Sequence, residues 1–115
     1  MKSVLIVDDD EALCRTLEIQ LEIAGHPVRA AFSGEKGLSV AIQWQPDLVL
    51  LDIYLPDQNG FNILPQIQKR LPWTKIILMS SFARGELEVD ILQSRGVLFL
   101  KKPFDFDCLL KILAS

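Results

Sequence analysis

The stretch VLIVDDD, residues 4–10, sets four consecutive apolar residues directly against three aspartates. A strand with one wet face alternates apolar and polar residues, and this run does not. It predicts a strand of a parallel sheet covered on both faces. Three further runs have the same character: Leu48-Val49-Leu50-Leu51, Ile76-Ile77-Leu78-Met79 and Val97-Leu98-Phe99-Leu100. A fifth, over residues 27–32, is more polar and opens on Pro27, which cannot donate to a ladder, so it belongs at a sheet edge.

Helical spacing fills the intervals. Leu13, Leu17 and Leu21 share one face of a first helix that closes at Gly25, a residue suited to the position just past a helix end. Ser33 can cap a second helix carrying Leu38, Ala41 and Ile42, which must stop before Pro46. A third carries Leu64, Ile67 and Leu71 before Pro72, with Pro65 expected in its first turn, where a missing N–H costs nothing. Glu86 to Arg95 is the least amphipathic candidate, and Phe104 to Ala114 offers a last helix with Leu109, Ile112 and Leu113 inward. One short helix between each pair of strands is the repeating βα unit with right-handed crossovers. The expected architecture is a three-layer α/β sandwich of five strands and five helices.

The chain has 115 residues, of which 50% are hydrophobic and 23% charged, enough for one core and unlike a disordered segment. A single domain spanning residues 1–115 is expected, either complete in itself or the N-terminal part of a longer regulator. No apolar run approaches the roughly 20 residues that span a bilayer, and no cleavable leader follows Met1, which points to a cytoplasmic protein. A net charge of −3 without a basic stripe argues against nucleic-acid binding by this domain alone. Cys14 and Cys108 lack metal-ligand spacing and are expected to be reduced core or boundary residues on helices, with a disulfide as the alternative.

Ligands of open parallel sheets bind beyond the carboxyl ends of the strands. Asp8, Asp9 and Asp10 follow the first strand, Asp52 the third, Ser80 and Ser81 the fourth, and Lys101-Lys102-Pro103 the last. Taken singly, such residues serve as caps and turn formers. Asp10 keeps that reading, Lys101 faces solvent, Ser81 turns the chain, and His26 is a turn residue remote from the acidic edge. Jointly, Asp8, Asp9, Asp52, Ser80 and Lys102 converge on one edge. Clustered carboxylates repel unless a cation sits among them, and hard oxygen ligands suit Mg2+. A carboxylate is also a nucleophile toward phosphorus, a reaction that needs charge neutralisation above all.

With these residues in place, the chain resembles a response-regulator receiver domain, the phosphoacceptor module of two-component signalling. The matching motifs are LIVDDD at 5–10, LVLLDIYLPDQNG at 48–60, ILMSSFA at 77–83 and FLKKPF at 99–104. The resemblance implies a doubly wound, flavodoxin-like sheet of strand order 2-1-3-4-5. It implies Asp52 as phosphoacceptor, and Mg2+ held by Asp8, Asp9, Asp52 and the backbone carbonyl of Tyr54. Ser80 would bond the phosphoryl group, Lys102 would pair with it through a cis Lys102-Pro103 geometry, and Phe99 would be the aromatic switch. Pro56, Asp57 and Gly60 match as geometric residues of the loop.

Three departures stand out. Phe99 lacks the phenol of the more usual tyrosine, so only burial of its ring can report, and Gly96-Val97 lies one residue closer to Phe99 than is common. Tyr54 and Phe82 flank the path of attacking water and are expected to slow hydrolysis of the acyl phosphate.

The implied partners are a sensor histidine kinase or histidine phosphotransfer protein, and an output domain or partner protein reading the fourth helix, fifth strand and fifth helix. A homodimer on phosphorylation belongs to the same expectation, and transcriptional control is a common output. The domain is expected not to be an enzyme beyond assisting its own phosphorylation and dephosphorylation. An aspartate-nucleophile phosphohydrolase would want an acid where Tyr54 stands. A constitutive, unphosphorylated interaction module would usually lack one of the key residues, all present here. A nucleotide or flavin domain would want glycines after the first strand.

Overall fold

The computed structural model describes residues 1–80 and 97–114. Along the chain run β1 (Val4–Val7), α1 (Glu11–Ile23), β2 (Val28–Ala31), α2 (Gly34–Trp44), β3 (Leu48–Asp52), α3 (Gly60–Arg70), β4 (Lys75–Ser80), β5 (Leu98–Lys101) and α4 (Phe106–Ala114). The helix expected over 86–95, with Ser81, Phe82 and Gly96, lies outside the described residues. The five strands are parallel in the order β2-β1-β3-β4-β5, as the resemblance implies.

Strand pleating divides the core. Leu5, Val7, Val49, Leu51, Ile76 and Leu78 face one way and pack with Ala41 of α2 and Ile63, Leu64 and Ile67 of α3. Val4, Ile6, Leu48, Leu50, Ile77 and Met79 face the other way, onto Cys14, Leu17 and Leu21 of α1 and Leu109 and Leu113 of α4. β1, β3 and most of β4 are buried on both faces, which is why their runs are unbroken. β5 differs from its expected burial. Leu98, Phe99 and Leu100 are only half-buried because β5 is the sheet's second edge, opposite β2.

The helix boundaries follow local chemistry. Asp10 caps α1 by accepting from the Leu13 amide, and Ser33 caps α2 by accepting from Lys36. Gly25 takes φ +91° just past α1, a conformation costly for other residues. Pro65 is not in the first turn of α3. Asn59 caps that helix by accepting from Phe61, so it begins at Gly60 and Pro65 falls in its second turn. There it lies on the exposed face, where the carbonyl deprived of an amide donor can reach water. Both cysteines are free; Cys14 is buried as expected, whereas Cys108 lies exposed on α4, beside the inward-facing Leu109.

Candidate functional site

Parallel pairing brings the strand ends to one edge. Val7 lies opposite Leu51, Asp52 opposite Met79 and Ser80 opposite Lys101, so the residues that follow β1 and β5 meet the last residues of β3 and β4 there. Each of Asp8, Asp9 and Asp52 offers one carboxylate oxygen to a set lying within 4.8 Å of one another. Asp8 and Asp52 are buried and Asp9 is exposed, so the cluster is open to solvent on one side.

Lys102 supplies the opposing charge. Its Nζ lies 2.5 Å from Asp8 Oδ2 and 3.6 Å from Asp52 Oδ2. Its backbone N–H donates to the Ser80 carbonyl at 2.8 Å, and the Lys102-Pro103 peptide is cis. Asp8 also accepts from the Asp10 amide at 2.9 Å, so each of its oxygens already holds a donor. Burial works against the ammonium, but its bond to Asp8 and the charge of Asp52 outweigh this and raise its pKa.

The Asp52 carboxyl is pushed up from 3.8 to about 6, chiefly by burial and next by the charge on Asp8, against the pull of Lys102 and the Tyr54 amide. The folded protein therefore holds this proton more tightly than the unfolded chain does. Its share of stability is present below about pH 3.8 and is lost as pH rises through about 6. In chelator-treated protein, the wild type should lose stability relative to Asp52→Asn between those values, as measured by urea unfolding; parallel pH profiles would contradict it.

The remaining expected residues fall around this cluster. Ser80 is buried at the end of β4. Tyr54 is 41% exposed and donates its amide to Asp52 Oδ1 at 3.3 Å. Phe99 is half-buried on β5, opposite Leu78, and packs against the core that faces α2 and α3. Lys101 is exposed, as expected, and His26 sits at the other end of the sheet, its Nδ1 accepting from the Lys2 amide.

The sequence undervalued Asp57. Its carboxylate accepts from the amides of Gly34 and Glu35, the first two residues of α2, at 2.7 and 2.9 Å. Those bonds hold its carboxyl below the usual range. A signal existed: Ser33 is followed three residues later by Lys36 rather than by a Glu or Gln, so the helix start carries no capping box of its own.

A cluster of hard oxygens with a neighbouring ammonium suits a divalent cation and an incoming anion. The comparisons agree with that chemistry. The response regulator receiver domain family matches residues 4–114. The DNA-binding dual master transcriptional regulator RpaA of Synechocystis is 36% identical over 109 residues, which is 93% of this chain and 45% of RpaA. Transcriptional regulatory protein AfsQ1 of Streptomyces coelicolor is 40% identical over 92 residues, 80% of this chain and 39% of AfsQ1. The chain spans less than half the length of these curated relatives.

Among solved structures, a CheY-like response regulator receiver domain protein from Methanospirillum hungatei superposes with a TM-score of 0.90. It is 32% identical, with 99% of this chain and 91% of that one covered. The response regulator TrrA from Thermotoga maritima, solved in complex with Mg2+ and BeF, gives 0.84 at 30% identity, with 99% and 97% covered. The fold, the convergent acidic edge and these matches lead to one conclusion: the chain belongs to the response-regulator receiver domain family and is a receiver domain of the two-component type.

Proposed function

We propose that Asp52 is the phosphoacceptor of this domain, with Mg2+ held by the carboxylates of Asp8, Asp9 and Asp52 and the backbone carbonyl of Tyr54. The observation that carries the reading is the approach of three carboxylates to within 4.8 Å beside a lysine that already bridges two of them. When bound, Mg2+ supplies positive charge that offsets the oxygens of the incoming phosphoryl group.

Asp52 acts as its carboxylate. One oxygen attacks phosphorus, the bond from phosphorus to the donor breaks, and the donor group leaves with the electron pair, giving a mixed anhydride on Asp52. Lys102 moves from Asp8 toward the new phosphoryl oxygens, and Ser80 donates its hydroxyl to one of them. The charged mark then biases a two-state equilibrium, with Phe99 reporting through burial of its ring. The donors are a histidine kinase, a histidine phosphotransfer protein or a small acyl phosphate. The domain acts as a switch that assists only its own phosphorylation and dephosphorylation.

The readout runs through β5 and α4, together with the segment 86–95, to an output domain or partner protein, with homodimerisation on phosphorylation as one form of it. The relatives named as transcriptional regulators favour a transcriptional output. A cytoplasmic location belongs to the same proposal; no helix among the described residues is long and apolar enough to cross a membrane.

Incubation with a small acyl phosphate and Mg2+ tests the reading by intact mass. The wild type should gain one phosphoryl group and Asp52→Asn none; a folded wild type that neither the acyl phosphate nor a kinase can label would overturn it.

A further inference from the structure

The proposed ligands belong to two parts of the sheet. Asp8 and Asp9 follow β1, while Asp52 ends β3 and Tyr54 lies in the loop beyond it. The β1–β3 ladder stops at Val7 and Leu51, so all four residues lie past its last paired position. The Lys102 ammonium spans Asp8 and Asp52 from the side of β5, and a second link between the two sets runs over the sheet through α2.

On the first side, α2 is seated on β1. A Cβ on Gly37 would meet the Val7 side chain at 2.6 and 2.8 Å, so the helix backbone lies against the residue before Asp8. The Asp8 amide also donates to Ala31, the last residue of β2, two residues before the Ser33 cap of α2. The start of α2 thus moves with Asp8.

On the second side, the loop over 53–59 is closed on itself. Tyr54 and Asn59 form an antiparallel bridge, and the Gly60 amide donates to the Ile53 carbonyl at 2.6 Å. Asp52, Tyr54 and the loop therefore form one stiff piece. Its outer arm touches α2 through Asp57, which grips the amides of Gly34 and Glu35. The approach is close: a Cβ on Gly34 would meet Gln58 Cγ at 2.7 Å and also collide with Ile63.

We infer that Asp57 is a positioning residue, whose grip on the first amides of α2 fixes the loop carrying Asp52 and Tyr54 relative to Asp8 and Asp9 and so sets the spacing of the ligand set. The inference rests on the Mg2+ reading proposed above. Asp57 touches no candidate ligand and lies at the surface, so losing it should loosen the ligand set while leaving the two cores intact.

Calorimetric titration with MgCl2 should show Asp57→Ala binding on the order of tenfold more weakly than the wild type, the usual range for losing a group that orients ligands. The Mg2+ concentration giving half-maximal labelling by a small acyl phosphate should rise by the same factor, and saturating Mg2+ should restore the maximal rate. Asp57→Asn, which keeps one acceptor oxygen, should fall between. Wild-type Mg2+ affinity in Asp57→Ala, whatever its melting temperature, would reduce Asp57 to a helix cap and overturn the inference. A wild type that neither binds Mg2+ nor takes a phosphoryl group would instead bring down the underlying reading, and the inference with it.

Discussion

Lys102→Met should lower the melting temperature of the metal-free protein by roughly 10 °C at pH 7 and make it markedly more responsive to Mg2+ than the wild type. Asp8 is fully buried, and the Lys102 ammonium 2.5 Å away is its counter-charge. Removing one partner of a buried ion pair costs about 3 kcal/mol or more, because the other charge stays behind unpaired. The lower end applies here, since the lysine side chain is 20% exposed. Asp52 and Asp9 sharpen the effect by adding like charge to the same cluster. In the wild type a divalent cation has to draw Asp8 away from its ammonium; in the variant it meets three uncompensated carboxylates, so Mg2+ should recover most of the lost stability. Thermal unfolding with chelator and with Mg2+ checks both statements, and an unchanged metal-free melting temperature would contradict the ion-pair account.

Gly60→Ala should damage the site more than its size suggests. A Cβ there would lie 2.6 Å from the Asp52 carbonyl oxygen and 2.9 Å from Ile53 Cα, and both are backbone atoms that cannot rotate aside. The chain can accommodate the methyl only by pushing the start of α3 away from β3, which strains the 2.6 Å bond from the Gly60 amide to Ile53. Overpacking of this kind costs about 1–3 kcal/mol. Because the displaced backbone carries Asp52, phosphorylation should suffer beyond the loss of stability: a shift near 1 Å at a reacting group is worth on the order of a hundredfold in rate. Initial labelling rates from a small acyl phosphate, taken well below the melting temperature, measure this. A rate within a factor of about two of wild type would show that the backbone at Asp52 tolerates displacement.

Most of the fold could be read from the unbroken apolar runs, because a strand buried on both faces has no choice of pattern. β5 misled for the same reason. Its run is as apolar as that of β3, yet it ends up half-buried at an edge, and edge position is decided by the order of the strands rather than by any residue within them. The start of α3 was hidden because Gln58-Asn59-Gly60 has the composition of a turn, and only the contact of Asn59 with the Phe61 amide turns it into a helix cap.

The candidate site was more legible than the fold's details. Asp8 and Asp9 follow β1, Asp52 ends β3 and Lys102 follows β5, and parallel pairing brings strand ends together whatever the loops do. In the sequence Asp57 reads only as a loop residue, because its partners, Gly34 and Glu35, lie more than twenty positions away and are backbone amides, which leave no mark there.

The most direct test of the account is the location of the phosphoryl group. The wild type, loaded from a small acyl phosphate with Mg2+, is treated with borohydride, which reduces an acyl phosphate to an alcohol, and then mapped by peptide mass. Reduction is expected at Asp52 alone, dependent on Mg2+. Reduction at Asp8, Asp9 or Asp57, or at several carboxylates without regard to Mg2+, would contradict it.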